Sequence, residues 1–132
     1  MKYTSDSWFF IKLVEKDPKA IALWEDIKYG KARLIVPSVV ITEIVKKYLM
    51  RGLNKELDMF ISGLNSSENI FVADLTREIA EEAGKLSYSF NIPTIDSIVV
   101  ATAVSTGYTN IISDDSDYKI AEKQNKIKRI RW

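Results

Sequence analysis

The stretch Ile92–Tyr118, IPTIDSIVVATAVSTGYTNIISDDSDY, sets one acid at the head of an apolar helix and an acid cluster just past a short strand. Pro93-Thr94 reads as a helix start, with Thr94 as the N-cap candidate and Asp96 in the first turn, where its charge suits the helix dipole. The helix then carries no charge until Gly107 ends it. Ile95, Ile98, Val99, Val100, Ala101, Ala103 and Val104 cover nearly its whole circumference, so other elements must pack on most of its sides. Tyr108 to Ile112 follows as a short strand, and Ser113-Asp114-Asp115-Ser116-Asp117 as the turn into a last helix. In open α/β sheets ligands sit outside the carboxyl ends of the strands, so acids after Ile112 stand where a site belongs.

Taken singly, Asp96 is explained as a dipole partner and Asp114 to Asp117 as a polar turn with helix caps. Taken jointly they suggest a carboxylate site. An acid that opens an almost wholly apolar helix is partly desolvated, and carboxylates converging on it repel one another unless a cation sits among them.

Composition narrows the chemistry. The 132 residues suffice for one domain with a real core, spanning 1–132. With 19 basic and 18 acidic residues the net charge is +1, so any nucleic-acid contact must be local. No apolar run approaches membrane-spanning length and the start MKYTSDSWFF lacks a secretory profile, so a cytoplasmic protein without membrane contact is expected. The chain has no cysteine and no histidine. Disulfides, thiolate metal sites and every His-dependent triad are thereby excluded, and zinc loses its commonest ligand. No glycine-rich phosphate loop is present. Demanding chemistry would have to come from carboxylates with Mg²⁺ or Mn²⁺.

The remaining chain alternates strands and helices. Lys2 to Asp6 reads as a strand and Ser7 to Glu15 as a helix, with Asp6 at the junction as a cap or a site acid. Asp17-Pro18 starts a second helix that Gly30 stops. Arg33 to Val36 is a strand stopped by Pro37, and Ser38 caps a helix carrying Glu43 among apolar neighbours, followed by Lys46, Lys47 and Arg51. Those three cations are a solvated face or phosphate contacts. Asn54 to Leu64 is a helix, Ile70 to Ala73 a strand, and Thr76 to Phe90 a helix with Thr76 as its capping candidate. Lys119 to Asn125 closes the helices and Ile127 to Trp132 is a terminal strand, whose basic residues in KIKRIRW read as an edge-strand solubility device. The pattern predicts an α/β fold, a central and largely parallel sheet flanked by helices. Asp6 and Asp115 then lie beyond strand ends on one edge, near helices that carry Glu43 and Asp96.

In these residues the chain resembles a PIN domain, and within that family the VapC-type toxins of toxin–antitoxin modules. The family's opening strand-Asp-Thr/Ser motif resembles Tyr3-Thr4-Ser5-Asp6-Ser7, its second acid matches Glu43 in PSVVITEIVKKYLMRG, and its third matches Asp96 in IDSIVVATAVSTG. Its Thr/Ser-x-Asp-x-Asp-Phe motif resembles Ser113-Asp114-Asp115-Ser116-Asp117-Tyr118, a register that selects Asp115 as the fourth acid, with Asp117 sharing its work. Departures are Ser7 and Ser113 where threonine is frequent, Tyr118 where phenylalanine is, and the additional acid Asp114.

The resemblance implies a metal-dependent endoribonuclease. Asp6, Asp96, Asp115 and Asp117 would hold Mg²⁺ or Mn²⁺, Glu43 would bind a second cation or orient the attacking water, and Ser7 and Ser113 would hold carboxylates by hydrogen bonds. Lys46, Lys47 and Arg51 are the phosphate-positioning candidates. The resemblance also implies a homodimer with a VapB-type antitoxin as partner. Trp8, Phe9 and Phe10 on one helix, with Tyr48, Leu49 and Met50 on another, are expected either to line a groove for a partner helix or to form core. Two alternatives stand beside this reading. Haloacid-dehalogenase-type phosphatases need a second Asp two residues after the first, where this chain has Trp8. A PIN fold that binds RNA or protein without cutting is the other.

Overall fold

The computed structural model describes residues 1–132. Strand β1 (Lys2–Ser5) leads into α1 (Ser7–Val14) and α2 (Pro18–Lys28), then β2 (Arg33–Pro37), α3 (Ser38–Met50), α4 (Asn54–Ser66), β3 (Ile70–Ala73), α5 (Arg77–Phe90), α6 (Thr94–Thr106), β4 (Asn110–Ile112), a 3-10 turn (Ser116–Tyr118), α7 (Lys119–Lys123) and β5 (Lys128–Ile130). The five strands form one sheet in the order β3-β2-β1-β4-β5, and every pairing is parallel. The expected α/β architecture is therefore observed, with a sheet that is parallel throughout.

Parallel strands need covered faces, and the central ones have them: Leu34 and Val36 are wholly buried, as are Ile111 and Ile112. Right-handed crossovers put the helices of the β1-to-β2-to-β3 progression on one face and those leading to β4 and β5 on the other. Helix α6 is the central packing element of its face. Its Ser97 to Ala103 are all buried, matching its lack of a polar side. Gly107 ends it at φ +77°, a conformation that glycine adopts without strain.

Strand order reverses at β1, whose neighbours β2 and β4 carry the chain in opposite directions. The crevice at the carboxyl ends of β1 and β4 is therefore the switch point of the sheet. Ser5 pairs with Ile112, so the next residues, Asp6 and Ser113, leave the sheet side by side. Helices α6 and α3 both begin at this edge and run away from it, so their first turns face the crevice's side of the sheet.

Several local readings change. Thr94 and Ser38 are the first residues of α6 and α3 rather than their N-caps; Pro93 and Pro37 hold those positions, with no capping side chain. The Ser38 hydroxyl instead accepts from the Leu75 amide at 3.2 Å. Asp17 and Thr76 do cap α2 and α5. The last two strands are shorter than the apolar pattern suggests, because Tyr108, Thr109, Ile127, Arg131 and Trp132 fall outside them. No helix is long and apolar enough to cross a membrane.

The groove expected from the two aromatic runs is corrected in part. Phe9, Phe10 and Tyr48 are core residues, 0%, 3% and 2% exposed, and the Tyr48 hydroxyl donates to the Phe10 carbonyl at 2.9 Å. Successive helix residues point about 100° apart, so three in a row cannot share one face. Trp8 and Met50 are the members of these runs that face the crevice.

Candidate active site

Each acid reaches the switch point by a different route. Asp6 follows β1 in extended backbone and caps α1, its Oδ1 accepting from the Trp8 amide at 2.8 Å. The cap and the site are thus the same residue. Asp96 projects from the first turn of α6, and the Tyr118 hydroxyl donates to its Oδ1 at 3.4 Å. Asp115 caps the 3-10 turn, its Oδ1 accepting from the Asp117 amide at 2.9 Å. Carboxylate oxygens of Asp96, Asp115 and Asp117 all lie within 4.8 Å of one another.

Asp6 and Glu43 stand outside that triad but within its field. Burial, the largest influence, raises the Asp6 carboxyl from its ordinary 3.8 to about 6; the Ser113 hydroxyl and the Trp8 amide pull it down, while Glu43 and Asp115 push it further up. Asp96 is raised to about 7, first by burial and then by the charges of Asp115 and Asp117, with Asp6 contributing. Burial also raises the Tyr118 hydroxyl well above its usual range, with all of these acids except Asp117 adding to the rise. Tyr118 therefore stays a neutral donor. Burial is the main cause of both carboxyl rises and the neighbouring acids add to it; a cation among them would reverse the shift.

A crevice of about 650 Å³ opens beside the acids, lined by Asp6, Ser7, Trp8, Ile11, Lys47, Met50, Arg51, Ser113, Asp114 and Asp115. Lys47 donates from Nζ to the Ser7 hydroxyl at 2.8 Å, so Ser7 is engaged by a cation rather than by a carboxylate. The Ser113 hydroxyl accepts from the Asp115 amide at 3.0 Å. Lys47 and Arg51 line the crevice; Lys46, one position before Lys47, does not. Asp114 lines it too, but forms an ion pair at 3.6 Å with Arg131 and lies outside the oxygen triad.

The sequence reading missed one residue near the site. Arg129, taken with its neighbours as edge decoration, has a side chain only 5% exposed and reaches the loop that carries Asp115. A basic strand one short helix after an acid-rich turn was the available signal.

The donor set suits a hard divalent cation. Three aspartates contribute converging oxygens and no nitrogen or sulfur ligand exists in the chain beyond lysine, arginine, amide, indole and methionine groups, which suits Mg²⁺ or Mn²⁺ better than zinc.

A wholly parallel five-stranded sheet with carboxylates gathered at its switch point defines an α/β protein with an acidic site at the strand ends. The PIN domain profile matches residues 3–124, and the chain belongs to the PIN domain family. Among solved structures it is similar to VapBC2 from Rickettsia felis bound to a DNA fragment from their promoter, at 13% identity and TM-score 0.74, covering 100% of this chain and 99% of that one. It is also similar to Mycobacterium tuberculosis VapC20, a sarcin–ricin-loop-cleaving toxin, at 17% identity and TM-score 0.73, covering 90% and 94%. VapBC-1 from nontypeable Haemophilus influenzae gives 18% identity and TM-score 0.71, covering 100% and 98%. No curated protein matches by sequence. At these identities the structural matches establish a shared fold.

Proposed function

We propose that this protein is a divalent-metal-dependent endoribonuclease and the toxin of a VapBC-type pair. The observation that carries the reading is the convergence of Asp96, Asp115 and Asp117 oxygens within 4.8 Å, beside a crevice that also holds Lys47 and Arg51. Asp6, Asp96, Asp115 and Asp117 would hold Mg²⁺ or Mn²⁺, with Glu43 completing the acidic field. Such an ion lowers the pKa of a water it binds and neutralises charge gathering on a phosphate, chemistry that replaces the histidine this chain lacks.

The chain's own groups do the rest. Lys47 and Arg51 draw the RNA backbone into the crevice and fix its register by phosphate contact. The Tyr118 hydroxyl and Ser113 hold carboxylates in place. In-line hydrolysis would break the bond between phosphorus and the 3′-oxygen, leaving a 5′-phosphate and a 3′-hydroxyl.

The partner reading, a VapB-type antitoxin on a homodimeric toxin in the cytoplasm, draws support from the VapBC structures the fold resembles. A second hollow of about 400 Å³, walled by Leu13, Val14, Trp24 and Met59 over the buried Phe10, Tyr48 and Phe60 and rimmed by Lys16, Lys55 and Glu56, offers a mostly apolar seat with a charged edge, of the kind an amphipathic segment fills.

The test is incubation of the purified chain with RNA in Mg²⁺, in Mn²⁺ and in EDTA, with the ends of the fragments identified. Metal-dependent cuts bearing 5′-phosphates are expected. Cleavage that continues in EDTA would overturn the metal mechanism, and RNA or antitoxin binding without any cleavage would favour a non-catalytic PIN module.

A further inference from the structure

The structure assigns Arg129 as a positioning residue that holds the Asp115–Asp117 loop in its metal-binding shape. This assignment rests on the metal-site reading above. Arg129 lies on β5, the edge strand next to β4, where a charged side chain would ordinarily lean into solvent. Its side chain is instead 5% exposed. Nη1 donates to the Asp115 carbonyl at 3.2 Å, on the residue whose carboxylate joins the triad. Nε makes no hydrogen bond and sits 3.9 Å from Oε1 of Glu122, while Oε2 of Glu122 accepts from the Arg129 amide at 2.8 Å. One carboxylate on α7 thus anchors both the backbone and the charge of Arg129.

Burying a guanidinium is costly unless its geometry is used. Two other ties complete a frame around the loop. The Ser113 amide donates to the Ile130 carbonyl at 3.0 Å, and Arg131 pairs with Asp114 at 3.6 Å. Of these contacts, the Arg129 bond is the one from β5 that lands on the backbone of a triad residue. Within the turn, Asp115 is held at its amide by the Ser113 hydroxyl at 3.0 Å, at its carboxylate by the Asp117 amide at 2.9 Å and at its carbonyl by the Tyr118 amide at 3.4 Å; the Arg129 bond to that carbonyl is the tie that fastens this residue to β5.

Arg129→Met keeps the aliphatic stem and removes the donors; Arg129→Lys keeps the charge but loses the planar fork. Both are compared with the wild-type chain by Mn²⁺ titration calorimetry, by hydrogen exchange at the Asp115 and Asp117 amides in EDTA, and by RNA cleavage as a function of Mg²⁺ concentration. Arg129→Met is expected to weaken Mn²⁺ binding by about tenfold, the lower end of what loss of a ligand-orienting contact costs. Amide exchange should quicken, and the Mg²⁺ concentration for half-maximal cleavage should rise more than the rate at saturating Mg²⁺ falls. Arg129→Lys should lie between, and Arg131→Met, cutting the tie at Asp114, should leave Mn²⁺ affinity within about twofold. If Arg129→Met does not fold, Glu122→Gln tests the same anchor and should shift Mn²⁺ affinity in the same direction by a smaller factor. Unchanged Mn²⁺ affinity in a folded Arg129→Met chain, or in Glu122→Gln where that is the variant available, overturns the assignment alone. A wild-type chain that binds no Mn²⁺ overturns the metal reading and this assignment with it.

Discussion

Nζ of Lys47 donates to Oγ of Ser7 at 2.8 Å, which fixes a cation one residue from Asp6 at the wall of the crevice. A lysine held this way offers a phosphate a pre-placed positive charge without sitting among the carboxylates. Lys46 precedes it by one position, pointing about 100° away around the helix, and does not line the crevice.

The two lysines should therefore separate in function. Lys47→Gln should weaken RNA binding and make the logarithmic salt dependence shallower by about 0.7, the share of one phosphate contact on a single strand. Lys46→Gln should leave both nearly unchanged. Binding isotherms over a salt series check this, and equal losses from the two substitutions would place the RNA elsewhere.

Tyr118 and Asp96 give a milder prediction. Their hydrogen bond is long, at 3.4 Å, and the tyrosine ring is wholly buried. Tyr118→Phe keeps the ring and should cost about 1 kcal/mol of stability or less, since an ordinary hydrogen bond contributes roughly that much. Cleavage at saturating Mg²⁺ should survive. A melt in EDTA beside a cleavage assay measures both, and abolished cleavage would give the hydroxyl a direct part in the chemistry.

The raised carboxyls predict how stability responds to pH. Asp6 and Asp96 stand at about 6 and about 7 when folded, against 3.8 ordinarily, so across that window the folded chain keeps protons that the unfolded chain has released. The stability these groups contribute is full below 3.8 and is lost as pH rises through about 6 and about 7. With no histidine to titrate in the same range, the effect is readable. Melts in EDTA should fall between about pH 5 and about pH 8, and Mg²⁺ should close the gap at the upper end. A melting point that climbs over that interval in EDTA would contradict the burial that, with the neighbouring acids, raises these carboxyls.

Much of this was legible in the residues. Alternating apolar strands and amphipathic helices imply the parallel sheet, and the topology brings Asp6, Glu43, Asp96 and the acid turn to one edge. What the residues could not specify was direction within short segments. Asp114, Asp115 and Asp117 occupy one turn, and only the 3-10 geometry after β4 sends Asp115 and Asp117 toward Asp96 while Asp114 pairs with Arg131. The burial of Arg129 was equally hidden, because an alternating basic strand is ordinarily read as solvated. Its fate depends on Glu122, which is close in space through the α7 turn.

The most direct measurement is the change in stability caused by Asp96→Asn, without metal and with it. Asparagine has nearly the same shape, so packing hardly enters. Facing Asp115 and Asp117 across the triad, Asp96 is one of several mutually repelling charges, and its neutralisation should raise the melting point in EDTA at about pH 8, where the wild-type carboxyl is ionised. The wild type should then gain about 2.7 kcal/mol in Mg²⁺ at a hundred times its dissociation constant, while the variant gains little and stops cutting RNA. A variant that melts lower in EDTA by roughly 0.3–1 kcal/mol, the worth of a first-turn acid on the helix dipole, responds to Mg²⁺ like the wild type and still cleaves would make Asp96 a helix-dipole residue and contradict the site.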